Sequence, residues 1–339
     1  MLRVSYSVLC WSVLFSGLAL SGNKSYEGCL PALGDKIVKI KRVDISRFKN
    51  IFEPSAAQQL PDGRLVIIED ESSTALSIVE ICSDGSILEN VQRDKFLLKA
   101  FKRELNDLEG ATLSSNGYIY AITSHSRTVK GKRKKSREQI IRFKLNGNKM
   151  LDSGSYTKFL KHLKESGILK GVLENKRKFD DVNIEAFSFD KEQNSLLIGF
   201  RAPLIDGKSM LVTLENPVGI FERNERARFA NKVILLDLKG GGIRSLDYDT
   251  HLKGYLISNE VKGENGKLKS QLWFWRGSPG QFPERIDLPE RVNLKNIESL
   301  APVTVNGKRR LLLLSDDGNS KKKEGAHYML LEYDELSGE

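Results

Sequence analysis

The chain has 339 residues, 40% hydrophobic and 29% charged, a balance that excludes a disordered or membrane-embedded protein and supplies enough apolar residues for a sizeable core. The net charge of +10 is moderate, and without a specific nucleic-acid motif it describes a generally basic surface.

The chain opens on "MLRVSYSVLCWSVLFSGLALSGNKS": one Arg3, an apolar run from Val8 to Leu20, then small residues Ser21 and Gly22. This reads as a secretory signal peptide over residues 1–22, and the run is too short to span a bilayer comfortably. It predicts a periplasmic or secreted protein whose single domain covers residues 23–339, with no membrane span after cleavage. Cys10 leaves with the leader, and the remaining pair, Cys29 and Cys82, is open to a disulfide or to two free thiols.

Beyond the leader, short β-branched and aromatic runs alternate with the turn signals "PDG", "SDG", "SSNG" and "VNG". They group in fours. The first group reads "IFEPSAAQQL", "RLVIIED", "ALSIVEI" and "SILENVQ", and the second contains "NDLEGATL", "YIYAITS" and "EQIIRFKL". The third runs from "VNIEAFSFD" to "KVILLDL", and the fourth from "GIRSLDYD" to "ERIDLPE". The fifth, "NIESLAPV", "RLLLLSD" and "HYMLLEYD", ends one strand short. Repeated four-stranded units predict an all-β, five-bladed propeller. "DKIVKIKRVDI" (Asp35 to Ile45) is expected to close the last blade, so that both chain ends meet in one sheet. The segment "TKFLKHLKESGILKGVLEN" has apolar residues at helical spacing and predicts a short helical insertion; six blades are the alternative if it holds strands. Trp273 and Trp275 alternate at strand period and are expected to pack between blades.

The starts of the five first strands align as "EPSAA", "DLEGA", "NIEAF", "IRSLD" and "NIESL". Their central residues, Ser55, Glu109, Glu185, Ser245 and Glu298, would converge on the propeller axis. Three converging carboxylates repel one another unless a cation lies between them, and an all-oxygen set of this width suits Ca²⁺. The order Ser, Glu, Glu, Ser, Glu resembles the calcium site of the calcium-activated nucleotidases (apyrases), which are five-bladed propellers, and the motifs are also similar to phytase-like esterase propellers. From Glu104 onward, "DLEGAT", "NIEAFSFD", "ILLDLKGGGIRSLDYD", "NIESLAPVTVNGKRRLLLLSDDG" and "GAHYMLLEYDELS" resemble a bacterial family known as domain of unknown function 3616. That resemblance implies an exported propeller and no established activity.

The ends of the second strands should open on the same face as the ring. They would bring Glu69, His125, Arg127, Arg201, Glu260 and Asp316 around it, together with Arg244, and lysine-rich loops including Lys321 and Lys322 lie beyond. A cation with a basic rim suits phosphate or another polyanion. Two readings follow. One is a calcium-dependent hydrolase of phosphate esters or anhydrides, with Arg201 on the substrate, Asp316 or Glu69 as general base, and His125, Arg127, Arg244, Lys321 and Lys322 binding substrate. The other is a monomeric, non-enzymatic propeller with a structural calcium and a face that docks polyanions. No P-loop, nucleophile elbow or paired-histidine motif is present.

Overall fold

A computed structural model describes residues 45–333, apart from 71–74, 92–93, 95–96, 98, 171, 174–178, 264–265, 279, 289–291 and 293–294. Its twenty strands form five four-stranded antiparallel sheets. Blade 1 holds β2 (Pro54–Gln59), β3 (Leu65–Glu69), β4 (Leu76–Ile81) and β5 (Ile87–Glu89). Blade 2 holds β6 (Leu108–Leu113), β7 (Ile119–Thr123), β8 (Ile140–Asn146) and β9 (Lys149–Tyr156). Blade 3 holds β10 (Asn183–Asp190), β11 (Ser195–Ile205), β12 (Lys208–Leu214) and β13 (Ile234–Leu236). Blade 4 holds β14 (Gly242–Asp249), β15 (Gly254–Lys262), β16 (Leu268–Trp275) and β17 (Glu284–Ile286). Blade 5 joins β18 (Ile297–Val305), β19 (Lys308–Ser315) and β20 (His327–Glu332) to β1 (Ser46–Arg47) from the N-terminal side.

The N-terminal side therefore closes the ring, but the closing strand among the described residues is Ser46–Arg47, paired with His327 and Tyr328. Ile45 is not in a strand, and the rest of Asp35 to Ile45 lies outside the described residues. Phe48 and Ile51 are buried at the seam, and their backbone exchanges bonds with Ala326 (Phe48 N to Ala326 O 2.9 Å, Ala326 N to Ile51 O 2.8 Å). The signal peptide and Cys29 also lie outside the described residues, while Cys82 is disulfide-bonded.

The apolar faces read from strand alternation pack between neighbouring blades, in five clusters. Blades 3 and 4, for example, bury Ala186, Leu211, Ile257, Trp273 and Trp275 together. Each fully buried aliphatic or aromatic side chain stabilises by about 1.5–3 kcal/mol, so the seams between blades hold the ring. The predicted insertion forms α1 (Phe159–Ser166), ended by Gly167 in the left-handed conformation, and α2 (Pro217–Glu222) follows β12. α1 buries Phe159 and Leu163 against blades 2 and 3, the apolar stripe expected from its spacing. Among the described residues, no helix is long and apolar enough to cross a membrane.

Candidate functional site at the upper mouth of the channel

Each inner strand carries a β-bulge near its start. The pairing skips Ser55 in β2, Glu109 in β6, Glu185 in β10, Arg244 in β14 and Glu298 in β18. A bulge leaves one residue outside the ladder and re-aims its side chain. It thereby carries polar groups out of the apolar seams at the start of every blade.

Four of the five predicted ring positions are thus matched, and the fourth blade is corrected by one residue. Ser245 pairs regularly with Ser258, and its Oγ contacts Asp247 Oδ2 at 3.2 Å and accepts from Leu300 N at 3.2 Å. It fastens blade 4 to blade 5. Ser299 occupies the matching place in β18 and accepts from Ala57 N at 3.1 Å. Arg244 takes the ring position instead. Its guanidinium lies 3.2 Å from Glu185 Oε2 and is in contact with Glu298 Oε1. An equal sharing of one cation by five oxygens does not describe this ring, because an arginine already neutralises two of its three glutamates.

Arg201, at the end of β11, donates to Glu185 Oε1 at 2.8 Å and lies 3.8 Å from Glu260. Its side chain is still 41% exposed, so the outer face of the guanidinium is open to a ligand. Gly242 permits this approach, since a Cβ there would lie 2.2 Å from Arg201 O. Glu185 Oε1 also accepts from Asn183 Nδ2 at 2.9 Å, while Oε2 is held, among the described residues, only by the ion pair with Arg244.

The opposite side of the mouth is different. Asp70 follows β3, Asp107 precedes β6, and Glu109 is the β6 bulge; each offers a carboxylate oxygen, and these lie within 4.8 Å of one another. Asp107 holds φ of 63°, a left-handed conformation that Asp tolerates better than most residues. Arg137 lies 3.0 Å from Asp107, whose carboxylate also accepts from Ser124 and Ser126. Glu109 has no hydrogen-bond or ion-pair partner among the described residues. Burial, then repulsion from Glu185, Asp107 and Asp70, pushes its pKa well up, against the pull of Arg244. Burial and Asp107 raise Asp70 to about 7. Three crowded carboxylates, with an all-oxygen donor set at the spacing of cation ligands, could hold a metal ion.

Asp316, after β19, remains accessible at the rim. Partial desolvation by the surrounding chain raises its pKa; Asp317 and Glu260 add to the rise, and Arg244 and Arg201 oppose it. The other predicted residues are placed elsewhere. Glu69 is fully buried and accepts from Phe52 N at 2.8 Å, so it braces the connection between blades 5 and 1 instead of facing the ring. His125 is also fully buried, with Nδ1 2.8 Å from Thr123 O and its ring edge-on to Phe159, where no substrate reaches it. Arg127 is 3.1 Å from Asp180 and donates to Gly131 O at 3.0 Å. Lys321 and Lys322 stand exposed on the turn between Asn319 and Glu324, beyond the ring.

No family model and no curated protein matches the chain. Among solved structures, it is similar to a GH43 β-1,3-galactosidase with galactodeoxynojirimycin (8% identity, 83% of this chain and 90% of that one, TM-score 0.48). It is also similar to an α-L-arabinofuranosidase from Clostridium thermocellum (10% identity, 77% and 81% covered, TM-score 0.42). The PQQ-bound aldose sugar dehydrogenase from Streptomyces coelicolor gives 13% identity, 86% and 98% coverage and a TM-score of 0.38. These likenesses assign no chemistry to the residues of the mouth.

Proposed function

We propose that the chain is an exported propeller that binds a divalent cation, Ca²⁺ by donor chemistry, and hydrolyses phosphate esters or anhydrides at the upper mouth. The observation that carries this reading is the division of the mouth. Asp70, Asp107 and Glu109 crowd together on one side, with Arg137 paired to Asp107 and Glu109 left without an ion-pair partner among the described residues, while across the axis Arg201 is half-open and Arg244 is close behind. An anionic substrate fits between a cation and an arginine. The cation would orient substrate and water and polarise a phosphoryl oxygen. Arg201 grips phosphate oxygens through its planar fork, Arg244 fixes the carboxylates around it, and Asp316 accepts a proton at its carboxylate. The lysines on the Asn319–Glu324 turn draw anions in from a distance. The resemblance to domain of unknown function 3616, the disulfide at Cys82 and the leader pattern fit an exported protein.

The test is a panel of phosphomonoesters, phosphodiesters and nucleoside di- and triphosphates, assayed with calcium and with EDTA. Calcium-dependent turnover supports the reading, and no turnover of any member rejects it. One observation favours a second reading, a binding propeller with a structural cation: Arg201 and Arg244 already serve Glu185, Glu298 and Glu260 as internal partners. Under that reading calcium raises the melting temperature and no substrate turns over.

A further inference from the structure

The channel has a second polar mouth, at the far ends of the inner strands. Counting three residues on from each bulge gives Gln58, Thr112, Ser188, Asp247 and Ala301, one from each blade. The first four line a cavity of about 230 Å³ opening away from the acidic mouth. Gln58 Nε2 donates to Asp247 Oδ1 at 2.6 Å, and Thr112 Oγ1 accepts from Phe189 N at 2.9 Å, leaving its hydroxyl proton to point elsewhere. Ser188 is 2% exposed, lines the cavity, and has no hydrogen-bond partner among the described residues. A hydroxyl without a protein partner on a cavity wall is free to bond a ligand or water.

The chemistry here is unlike that of the upper mouth. Two hydroxyls, a carboxamide and a carboxyl whose pKa burial pushes up make a ring of mixed donors and acceptors. The rim adds Tyr248, 37% exposed and edge-on to Tyr255, as an apolar face. Lys191 and Arg309 add positive charge, Arg309 being in contact with His251. Asp249 accepts from the amides of His251 and Leu252 on Oδ1 and from Tyr333 OH on Oδ2, which fixes its carboxylate in the cavity wall.

We infer that this lower cavity is a binding site for a monosaccharide-sized, polyhydroxylated acid such as a uronic acid. Ring hydroxyls meet Gln58, Thr112, Ser188 and Asp247, and the carboxylate meets Arg309 and Lys191. The cavity holds roughly seven or eight water volumes, which is the scale of a single sugar ring and too small for a chain.

The test is titration calorimetry and saturation-transfer NMR of the full chain with glucuronate, galacturonate, glucose and galactose. The expected result is uronate binding that is about tenfold tighter than binding of the neutral sugars and weakens with salt. Arg309→Ala, an exposed change, should abolish the preference for the acids. Ser188→Ala should weaken all sugars about three- to tenfold while leaving the melting temperature unchanged. Glu109→Gln and EDTA, which disable the upper mouth, should leave uronate binding intact, so failure of one site is distinguishable from failure of the other. Absence of any sugar signal at 10-millimolar order, or uronate binding indifferent to both Arg309→Ala and Ser188→Ala, overturns the inference.

Discussion

Arg244 pairs with Glu298 across the seam between blades 4 and 5, and the same guanidinium reaches back to Glu185 in blade 3. One arginine thus ties three blades at the axis, with its side chain 11% exposed and those of its partners 3% and 7%. Removing one member of a buried pair leaves the other charges unsolvated, which costs about 3–5 kcal/mol. Arg244→Ala should lower stability on that scale in chemical denaturation. Adding Glu298→Gln to Arg244→Ala should restore part of the loss, because the orphaned charge goes with it. A double variant no more stable than Arg244→Ala would show that Glu298 does not depend on the arginine.

Arg201 should separate chemistry from support. Its side chain is 41% exposed and Glu185 keeps Arg244 without it, so Arg201→Ala should cost about 1 kcal/mol or less of stability. On any phosphoester that the wild type turns over, kcat/KM should fall at least about tenfold, equivalent to about 1.4 kcal/mol, and added salt should not mimic the loss. Neutralising Lys321 and Lys322 should instead slow capture in a way that high salt reproduces. Unchanged kcat/KM in Arg201→Ala removes the residue from the site.

His125 gives the fold an acid sensitivity. Burial lowers its pKa to about 4 from an ordinary value near 6.5, so the folded state binds this proton less readily than the unfolded chain. Its contribution is fully present above about pH 6.5 and is lost as pH falls towards 4, amounting to about 3 kcal/mol across that window. His125→Asn, which tolerates the φ of 53°, should flatten the stability profile between those values. An unchanged slope would mean that His125 is protonated in the fold.

The seam makes a fourth prediction. Deleting residues 45–52 removes β1 together with buried Phe48 and Ile51, exposing the edge of β20. The truncated protein should aggregate or populate larger species on size-exclusion chromatography. A soluble, cooperatively folding monomer would show that blade 5 closes without it.

These residues also show what could be read from sequence. Strand alternation and turn signals exposed the five blades, because interblade packing needs the period-two pattern that strands write into the chain. Ser245 was misread because a bulge moves the register by one and leaves no residue-type signature: "IRS" offers both an arginine and a serine, and only pairing with Ser258 decides between them. Asp70 and Asp107 escaped because they flank strands rather than occupy the aligned position, although the Asp in "NDLEG", just ahead of the glutamate, was a signal for a carboxylate cluster. Closure of the last blade from the N-terminal side was legible because the fifth group ends one strand short. Residues 35–44 lie outside the described residues, and the contacts of Phe48 and Ile51 with the seam are distant in sequence and left no local signal.

The central claim is a cation at Asp70, Asp107 and Glu109, and calcium-dependent melting of wild type and Glu109→Gln tests it most directly. Protein stripped with chelator carries crowded carboxylates, so Glu109→Gln should melt at or above the temperature of stripped wild type. Calcium at 100 times its dissociation constant should stabilise the wild type by about 2.7 kcal/mol and the variant far less. A rise in wild type that Glu109→Gln loses is the predicted result; equal curves with and without calcium in the wild type, or an equal rise in both proteins, would contradict the account.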